Sequence, residues 1–422
     1  MRGLCLQPHS ISIKHATDIL ISGAGPAGAA TALFLAKKGI ASTIVDKAVF
    51  PRDKICGDAL SGKVVEVLRK LDENLVAEIE KSETAIGSWG VTFVAPNGKA
   101  LRVPFTQHPE KRKHAPGFIT KRIDFDNFLV EKVKANPLIT FHENIELRHF
   151  NNTENGFEAT DKNENLYEAK LFIACDGAYS SFAKEVAGLH TEPQHNCFGL
   201  RAYYENVEGL DSENFIELHF IKDALPGYFW IFPLPNGSAN VGIGMRADKV
   251  KDKSINLKKL FEDIIQNNPA ISRRFTNARL VDGVKLFGLP LGSKKRNLSG
   301  DNYLLCGDAA MLIDPFTGEG IGNALFSGMF AAEQAAKCLL QNDFSASCNK
   351  QYDEAVYNRL WHELLLSYRL QQLVNFPSLF NFVVNKANRS PHLREAIMSM
   401  FEDLDLRAQL KNPLYYLRIL FS

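Results

Sequence analysis

The chain of 422 residues has room for about two to three domains, and its 45% hydrophobic and 23% charged residues are those of an ordinary soluble globular protein. A formal net charge of +1, with no basic stripe carrying interleaved aromatics, gives nothing that points to nucleic acid. The short clusters Lys111-Arg112-Lys113 and Lys294-Lys295-Arg296 read as solvated loops, with docking of an acidic electron donor as the alternative.

Seven scattered cysteines without a CxxC pair argue against a disulfide framework or a zinc site and for a reducing cytoplasm. Eleven histidines show no metal-ligand spacing, so no metal is expected. The N-terminus lacks the pattern of a signal peptide, and no run reaches the roughly 18 apolar residues of a membrane span.

In chain order, residues 18–22 are an apolar run that suits a buried parallel strand, and residues 29–38 read as a helix. Between them stands Gly23-Ala24-Gly25-Pro26-Ala27-Gly28. Gly39 ends the helix, Ile40 to Val45 form the next apolar strand, and Asp46 closes it. In such a turn Gly23 permits the bend, Gly25 lets the backbone approach a pyrophosphate, and Gly28 lets helix and strand pack closely. The helix start offers free N–H groups to phosphates, and Asp46 is placed for ribose hydroxyls. A bare GxGxxG is often an ordinary glycine turn. Here strand, helix, second strand and acid all stand in order.

Residues 86–118 alternate apolar and polar positions between Pro and Gly breaks, Phe125 to Lys134 is helical, and Leu171 to Cys175 is a buried strand. Residues 196–290 read as a run of strands. Residues 303–340 return to the nucleotide fold through Leu305-Cys306-Gly307-Asp308-Ala309-Ala310 and Asp314-Pro315-Phe316-Thr317-Gly318-Glu319-Gly320-Ile321-Gly322. Phe316 to Gly320 form a turn opening a helix, which would aim N–H groups at the O2 edge of a flavin. The two glycine segments together point to FAD, bound non-covalently, and so to an oxidoreductase. The last part is helical, with apolar faces at Leu364–Tyr368 and Leu379–Val384. The terminal Leu414–Phe421 is amphipathic enough to dock as a helix or to lie on a membrane.

Further motifs carry a resemblance. Arg122-Ile-Asp-Phe125-Asp126-Asn-Phe-Leu129 resembles RxxFDxxL, Asp176-Gly177-Ala-Tyr-Ser180 resembles DGxxS, and Gly307-Asp308 resembles the GD motif. Pro51-Arg52-Asp-Lys-Ile-Cys56-Gly57 matches PxxxxCG, and Tyr228-Phe-Trp230-Ile-Phe232-Pro233 with Gly242-Ile-Gly244 matches YxWxFP and GxG. The chain thus resembles the geranylgeranyl reductase family of FAD-dependent oxidoreductases, within the superfamily of para-hydroxybenzoate hydroxylase. It departs from the pattern at Ala183, where an arginine is usual, which weakens any inference of direct NADPH use.

The resemblance implies an α/β fold: a Rossmann-like FAD-binding domain interleaved with a mixed β-sheet substrate domain and followed by a helical C-terminal region. The FAD-binding parts are 1–85, 122–190 and 291–340. Substrate-domain strands are 86–121 and 191–290, and the helical region is 341–422. The cofactor residues are Gly23, Gly25, Pro26, Ala27, Gly28, Asp46, Lys47, Arg52, Cys56, Gly57, Arg122, Asp176, Gly177, Gly307, Asp308, Pro315, Gly318, Gly320 and Ile321. Cys175 and Cys306 read as packing.

The chemistry implied is reduction of carbon–carbon double bonds in an isoprenoid lipid, the reduced flavin supplying hydride to one alkene carbon and a weak acid the proton to the other. Cys56, Tyr228 and Trp230 are the catalytic candidates. Cys56 is the proton donor or a shield for the flavin, and Tyr228 and Trp230 line a prenyl cavity. The alternatives are an aromatic hydroxylase or a halogenase, the latter disfavoured because GWxWxIP is replaced. A non-enzymatic FAD-binding protein is the remaining reading. The external reductant is NADPH, a ferredoxin or a quinone. The expected partners are a hydrophobic prenyl lipid and an electron-donor protein, in the cytoplasm or peripheral at the inner membrane face.

Overall fold

A computed structural model describes residues 13–106, 108–153, 156–390 and 393–394. One sheet has eight strands. Along it lie Ser299–Gly300, Tyr303–Leu305, Leu166–Ala174, Lys14–Ser22, Ser42–Asp46 and Ile139–Glu143, with Gly156–Asp161 and Leu147–Thr153 branching off Leu166–Ala174. From Tyr303–Leu305 to Ile139–Glu143 every pairing is parallel. Parallel strands are covered on both faces and need unbroken apolar runs. Ile19, Leu20 and Ile21 are accordingly buried in succession, as are Leu171, Phe172 and Ile173.

Helix Pro26–Lys37 follows the first strand at once, with Gly25 as its N-cap and Pro26 in its first turn. It packs on helix Ile321–Gln341, where Gly328 makes the approach close. A Cβ there would stand 2.3 Å from the carbonyl oxygen of Ala27.

The second sheet has seven strands in the order Arg279–Pro290, Asn196–Glu205, Ala239–Arg246, Tyr228–Pro233, Ile216–His219, Gly90–Val94 and Ala100–Pro104. Its side chains alternate cleanly. Phe229 and Ile231, with Leu200, Ala202, Val241 and Ile243, join one core cluster; Trp230, Phe232 and Leu218 join another on the opposite face. Strands Ala85–Ser88 and Gly117–Thr120 do not enter this sheet; Gly117–Thr120 is the middle strand of a separate three-stranded sheet, between Ala59–Leu60 and Ala85–Ser88.

The run of strands expected over 196–290 is interrupted by helices Ala247–Asp252 and Leu257–Asn267. The second is amphipathic, burying Leu257, Phe261 and Ile264, and Asn256 caps it by accepting from the Lys259 amide at 3.0 Å. It covers the outer face of the sheet, a tertiary demand that strand-like alternation on either side conceals.

Helices Ala346–Leu373 and Pro377–Arg389 follow. Leu364, Phe380 and Val384 turn inward, while Phe376, Leu379 and Phe382 are exposed. The terminal segment Leu414–Phe421 lies outside the described residues. Among the described residues no helix is long and apolar enough to cross a membrane.

Candidate cofactor and substrate site

A cavity of about 1770 Å³ is lined by residues of both large sheets and of the C-terminal helices. That exceeds the usual 300–1,000 Å³ of a small-ligand pocket, leaving room for a dinucleotide and a second molecule. At one end stand Gly23, Gly25, Pro26, Ala27, Asp46, Lys47, Arg52, Asp176, Gly177, Gly307 and Asp308.

The glycine turn is built by crowding. A Cβ on Gly28 would stand 1.8 Å from the Gly23 carbonyl oxygen, and one on Gly23, at φ +97°, 2.4 Å from the Cys175 carbonyl oxygen. Neither position admits a side chain. Gly28 itself does not line the cavity; its work is to let the helix close on the turn. Asp46 Oδ2 accepts the Ala24 N–H at 2.7 Å, and Oδ1 accepts that of Ala48 at 2.8 Å, so the acid also ties down the turn. The Arg52 guanidinium reaches over Gly25, with Nη2 3.5 Å from where a Cβ would be.

Arg122 is buried and held in a two-point bond to Asp126, Nε to Oδ1 and Nη2 to Oδ2, each 2.7 Å; Arg52 Nη1 bonds the same carboxylate at 2.5 Å. Burial works against the Arg122 charge. Asp126, and after it the Cys56 thiol, more than offset that and hold the guanidinium above its ordinary range. The Cys56 side chain therefore lies within electrostatic reach of Arg122. Burial pushes the Asp176 carboxyl up to about 6, against the Ser180 hydrogen bond, and its Oδ1 has no partner among the described residues.

In the turn before helix Ile321–Gln341, Asp314 Oδ1 accepts the amides of Phe316 and Thr317, Gly318 donates to the Asp314 carbonyl, and Glu319 Oε1 takes the Gly322 amide. The donors left for a ligand are thus at the helix start, Gly320 and Ile321, rather than earlier in the turn. Gly318, Gly320 and Ile321 line the cavity; Pro315 stands behind it, its carbonyl accepting from Gln371 at 2.6 Å.

A family profile described as FAD binding domain matches residues 16–340. A digeranylgeranylglycerophospholipid reductase from Methanocaldococcus jannaschii is 31% identical, over 84% of this chain and 85% of that protein. The chain belongs to the FAD-binding family, in its geranylgeranyl reductase branch. Its fold is also that of a geranylgeranyl bacteriochlorophyll reductase-like protein from Thermoplasma acidophilum, with a TM-score of 0.77 at 24% identity over 89% of this chain and 92% of that one. A flavin-dependent brominase shares the fold at a TM-score of 0.73 and 19% identity, over 92% and 93% of the two chains. FAD is the family's cofactor, and the residues present fit it: a turn with no space for side chains, an overhanging guanidinium and an unpartnered buried Asp176 oxygen.

The other end of this cavity is apolar. Tyr228, Trp230, Phe93, Leu101, Leu218, Phe316, Phe380 and Val384 line it. The Trp230 ring lies over Gly242, where a Cβ would stand 2.1 Å from it. Gly57 likewise makes room for Phe232, whose ring would be 2.9 Å from a Cβ. The Tyr228 hydroxyl donates to the Thr317 carbonyl at 2.5 Å, and burial raises its pKa well above the ordinary phenol range.

Between the two ends sits a hub that the sequence did not announce. The Asn240 side chain accepts from Trp230 Nε1 at 2.9 Å and donates to the Cys56 carbonyl at 2.7 Å and to Asp58 Oδ2 at 2.8 Å. Asp58 Oδ2 also accepts from the Tyr203 hydroxyl at 2.7 Å, and Oδ1 from the Arg122 amide at 3.2 Å. Burial pushes the Asp58 carboxyl up to about 6, opposed by the bonds from Tyr203 and Asn240. Asn240 thus joins the loop of Cys56 to the wall of Trp230. Its distance of two residues from Gly242 was a usable signal, since period-2 alternation puts both on the cavity face.

Proposed function

We propose that this protein reduces carbon–carbon double bonds of a prenyl lipid with electrons delivered through FAD. One observation carries the reading: a single cavity joins the nucleotide turn to an apolar wall, and the Cys56 loop is bonded to that wall through Asn240. When bound, reduced FAD supplies the electron pair and one hydrogen, and the second hydrogen arrives as a proton.

We assign cofactor binding to Gly23, Gly25, Arg52, Asp46, Arg122, Asp176, Asp308 and the start of helix Ile321–Gln341. Cys56 is assigned as proton donor, because it faces the cavity beside Arg122, which would stabilise the thiolate left behind. Trp230 and Tyr228 shape the wall and exclude water. The Tyr228 proton is committed to the Thr317 carbonyl, so Tyr228 is assigned to the wall and not to proton donation. The substrate enters from a membrane face in this reading, and the reductant is NADPH, a ferredoxin or a quinone.

The test is anaerobic. Reduced protein is mixed with geranylgeranyl diphosphate or a geranylgeranylated lipid while flavin absorbance is recorded. Reoxidation without oxygen, with a product heavier by one pair of hydrogens per double bond, supports the proposal. A flavin that stays reduced until air is admitted turns the reading to an oxygen-using hydroxylase or halogenase.

A further inference from the structure

Arg201 plays no part in the reading above. It lies in strand Asn196–Glu205, lines the cavity, and is 0% exposed. Its Nη2 donates to the Asp53 carboxylate at 2.7 Å. Among the described residues Nε and Nη1 have no hydrogen-bond partner, and the guanidinium lies 4.0 Å from the centre of the Tyr203 ring. A buried cation with unused donors is costly, and such a group in a native fold calls for a ligand, a water or an ion. The surrounding charges do not supply one. Asp53 is shared with Lys285 at 3.3 Å, Lys285 is drawn off to Asp282 at 2.5 Å, and both Asp58 oxygens are taken by Tyr203, Asn240 and the Arg122 amide.

The register of the sheet shows what kind of ligand would be met there. Residues paired across neighbouring strands share a face. Arg201 pairs with Gly242, Gly242 with Trp230, Trp230 with Leu218, Leu218 with Phe93, and Phe93 with Leu101. This is one straight row across the cavity side of the sheet. It has a cation at one end, then Gly242 with the Trp230 ring lying over it, and apolar side chains beyond. Five strand spacings separate its ends, about 24 Å. A row of this kind matches a long apolar molecule with an anionic end.

Resting on the reductase reading, we propose that Arg201 anchors the phosphate of a prenyl phosphate ester, with the chain running from it past Trp230 toward Phe93 and Leu101. Arg201 would then fix the head and so decide which double bond reaches the flavin. A free prenyl diphosphate and a prenylated glycerophosphate share this chemistry.

The experiment uses the oxidised holoenzyme. Geranylgeranyl diphosphate, a geranylgeranylated glycerophosphate and geranylgeraniol are titrated separately while the flavin spectrum is recorded, in wild type, Arg201→Lys and Arg201→Met. The expected result is that Arg201→Met weakens binding of a phosphate ester about 10-fold or more, leaves the alcohol within about two-fold, and is partly rescued by Arg201→Lys. Whichever ester shows the loss identifies the source of the phosphate. Equal weakening of ester and alcohol, or no preference of the wild type for an ester over the alcohol, overturns the proposal. So does a changed flavin spectrum in Arg201→Lys before any ligand is added, because Arg201 would then be serving the flavin. The anaerobic assay separates the two readings: selective binding with no reoxidation keeps the phosphate anchor and removes the reductase.

Discussion

In the eight-stranded sheet Ile19, Leu20 and Ile21 are buried one after another, whereas in the seven-stranded sheet Phe229 and Ile231 point one way and Trp230 and Phe232 the other. The first sheet has helices on its faces and spends its side chains on packing, so its chemistry is left to the loops at its strand ends. The second turns one face to the cavity and puts chemistry on the strands themselves. Glycine serves both in different ways. At Gly23 and Gly28 it lets backbone approach backbone; at Gly242 it lets an indole lie down on the sheet. In the proposed reading, cofactor binding therefore depends on main-chain geometry, and substrate recognition on which side chains share a row.

Substitutions at those glycines should separate the two halves. The largest effect is expected for Gly28→Ala, whose Cβ would meet the Gly23 carbonyl oxygen at 1.8 Å. A clash with backbone has no cheap relief, and a loss upward of about 3 kcal/mol is expected. The purified protein should be colourless or insoluble; a full complement of flavin absorbance would refute this account of the turn.

Next in size is Cys56→Ala. Loss of a general acid slows a reaction typically by about 10²–10⁴-fold. Single-turnover reoxidation by a prenyl substrate should fall by that order while flavin content stays at the wild-type level, and an unchanged rate removes Cys56 from the mechanism.

Gly242→Ala should be milder and confined to the second sheet. Its Cβ would meet the Trp230 ring at 2.1 Å, which can shift, and the Leu200 carbonyl oxygen at 2.3 Å, which yields only with a local shift of the strand, at a cost of about 3 kcal/mol. Flavin should be retained and the KM for prenyl substrate should rise. A protein that loses flavin instead would show that the two halves are not separable.

The smallest effect is one of pH. Asp58, raised from 3.8 to about 6, holds its proton more tightly in the fold than in the open chain. Its contribution to stability is fully present below about pH 4 and is lost as the pH rises through about 6. Asp176 is raised to about 6 with the same sign, so the comparison must be wild type against Asp58→Asn. The variant should lose less stability than wild type between those two pH values in thermal melts, and parallel curves would contradict the assigned shift.

The sequence told most where backbone geometry decides. Gly23, Gly25 and Gly28 are spaced by the demands of a turn, and the strand Lys14–Ser22, the helix Pro26–Lys37 and Asp46 fall where such a turn requires them. It told less about the stretch 196–290, where helix Leu257–Asn267 was hidden among strands, although Asn256 and the spacing of Leu257, Phe261 and Ile264 carry a helix signal. Asp58, Tyr203 and Asn240 stand far apart along the chain, and no local pattern marks them as partners.

What the sequence determined by itself is the family, the glycine turn and the aromatic and cysteine motifs, because each is a local pattern that one segment must satisfy alone. Only the tertiary structure decided that Asn240 ties Cys56 to Trp230, and that Arg201, Trp230, Leu218, Phe93 and Leu101 form one row. Those relations depend on strand order and register. Both are set by the packing of the whole sheet, in which a slip of one residue would send every side chain of a strand to the other face.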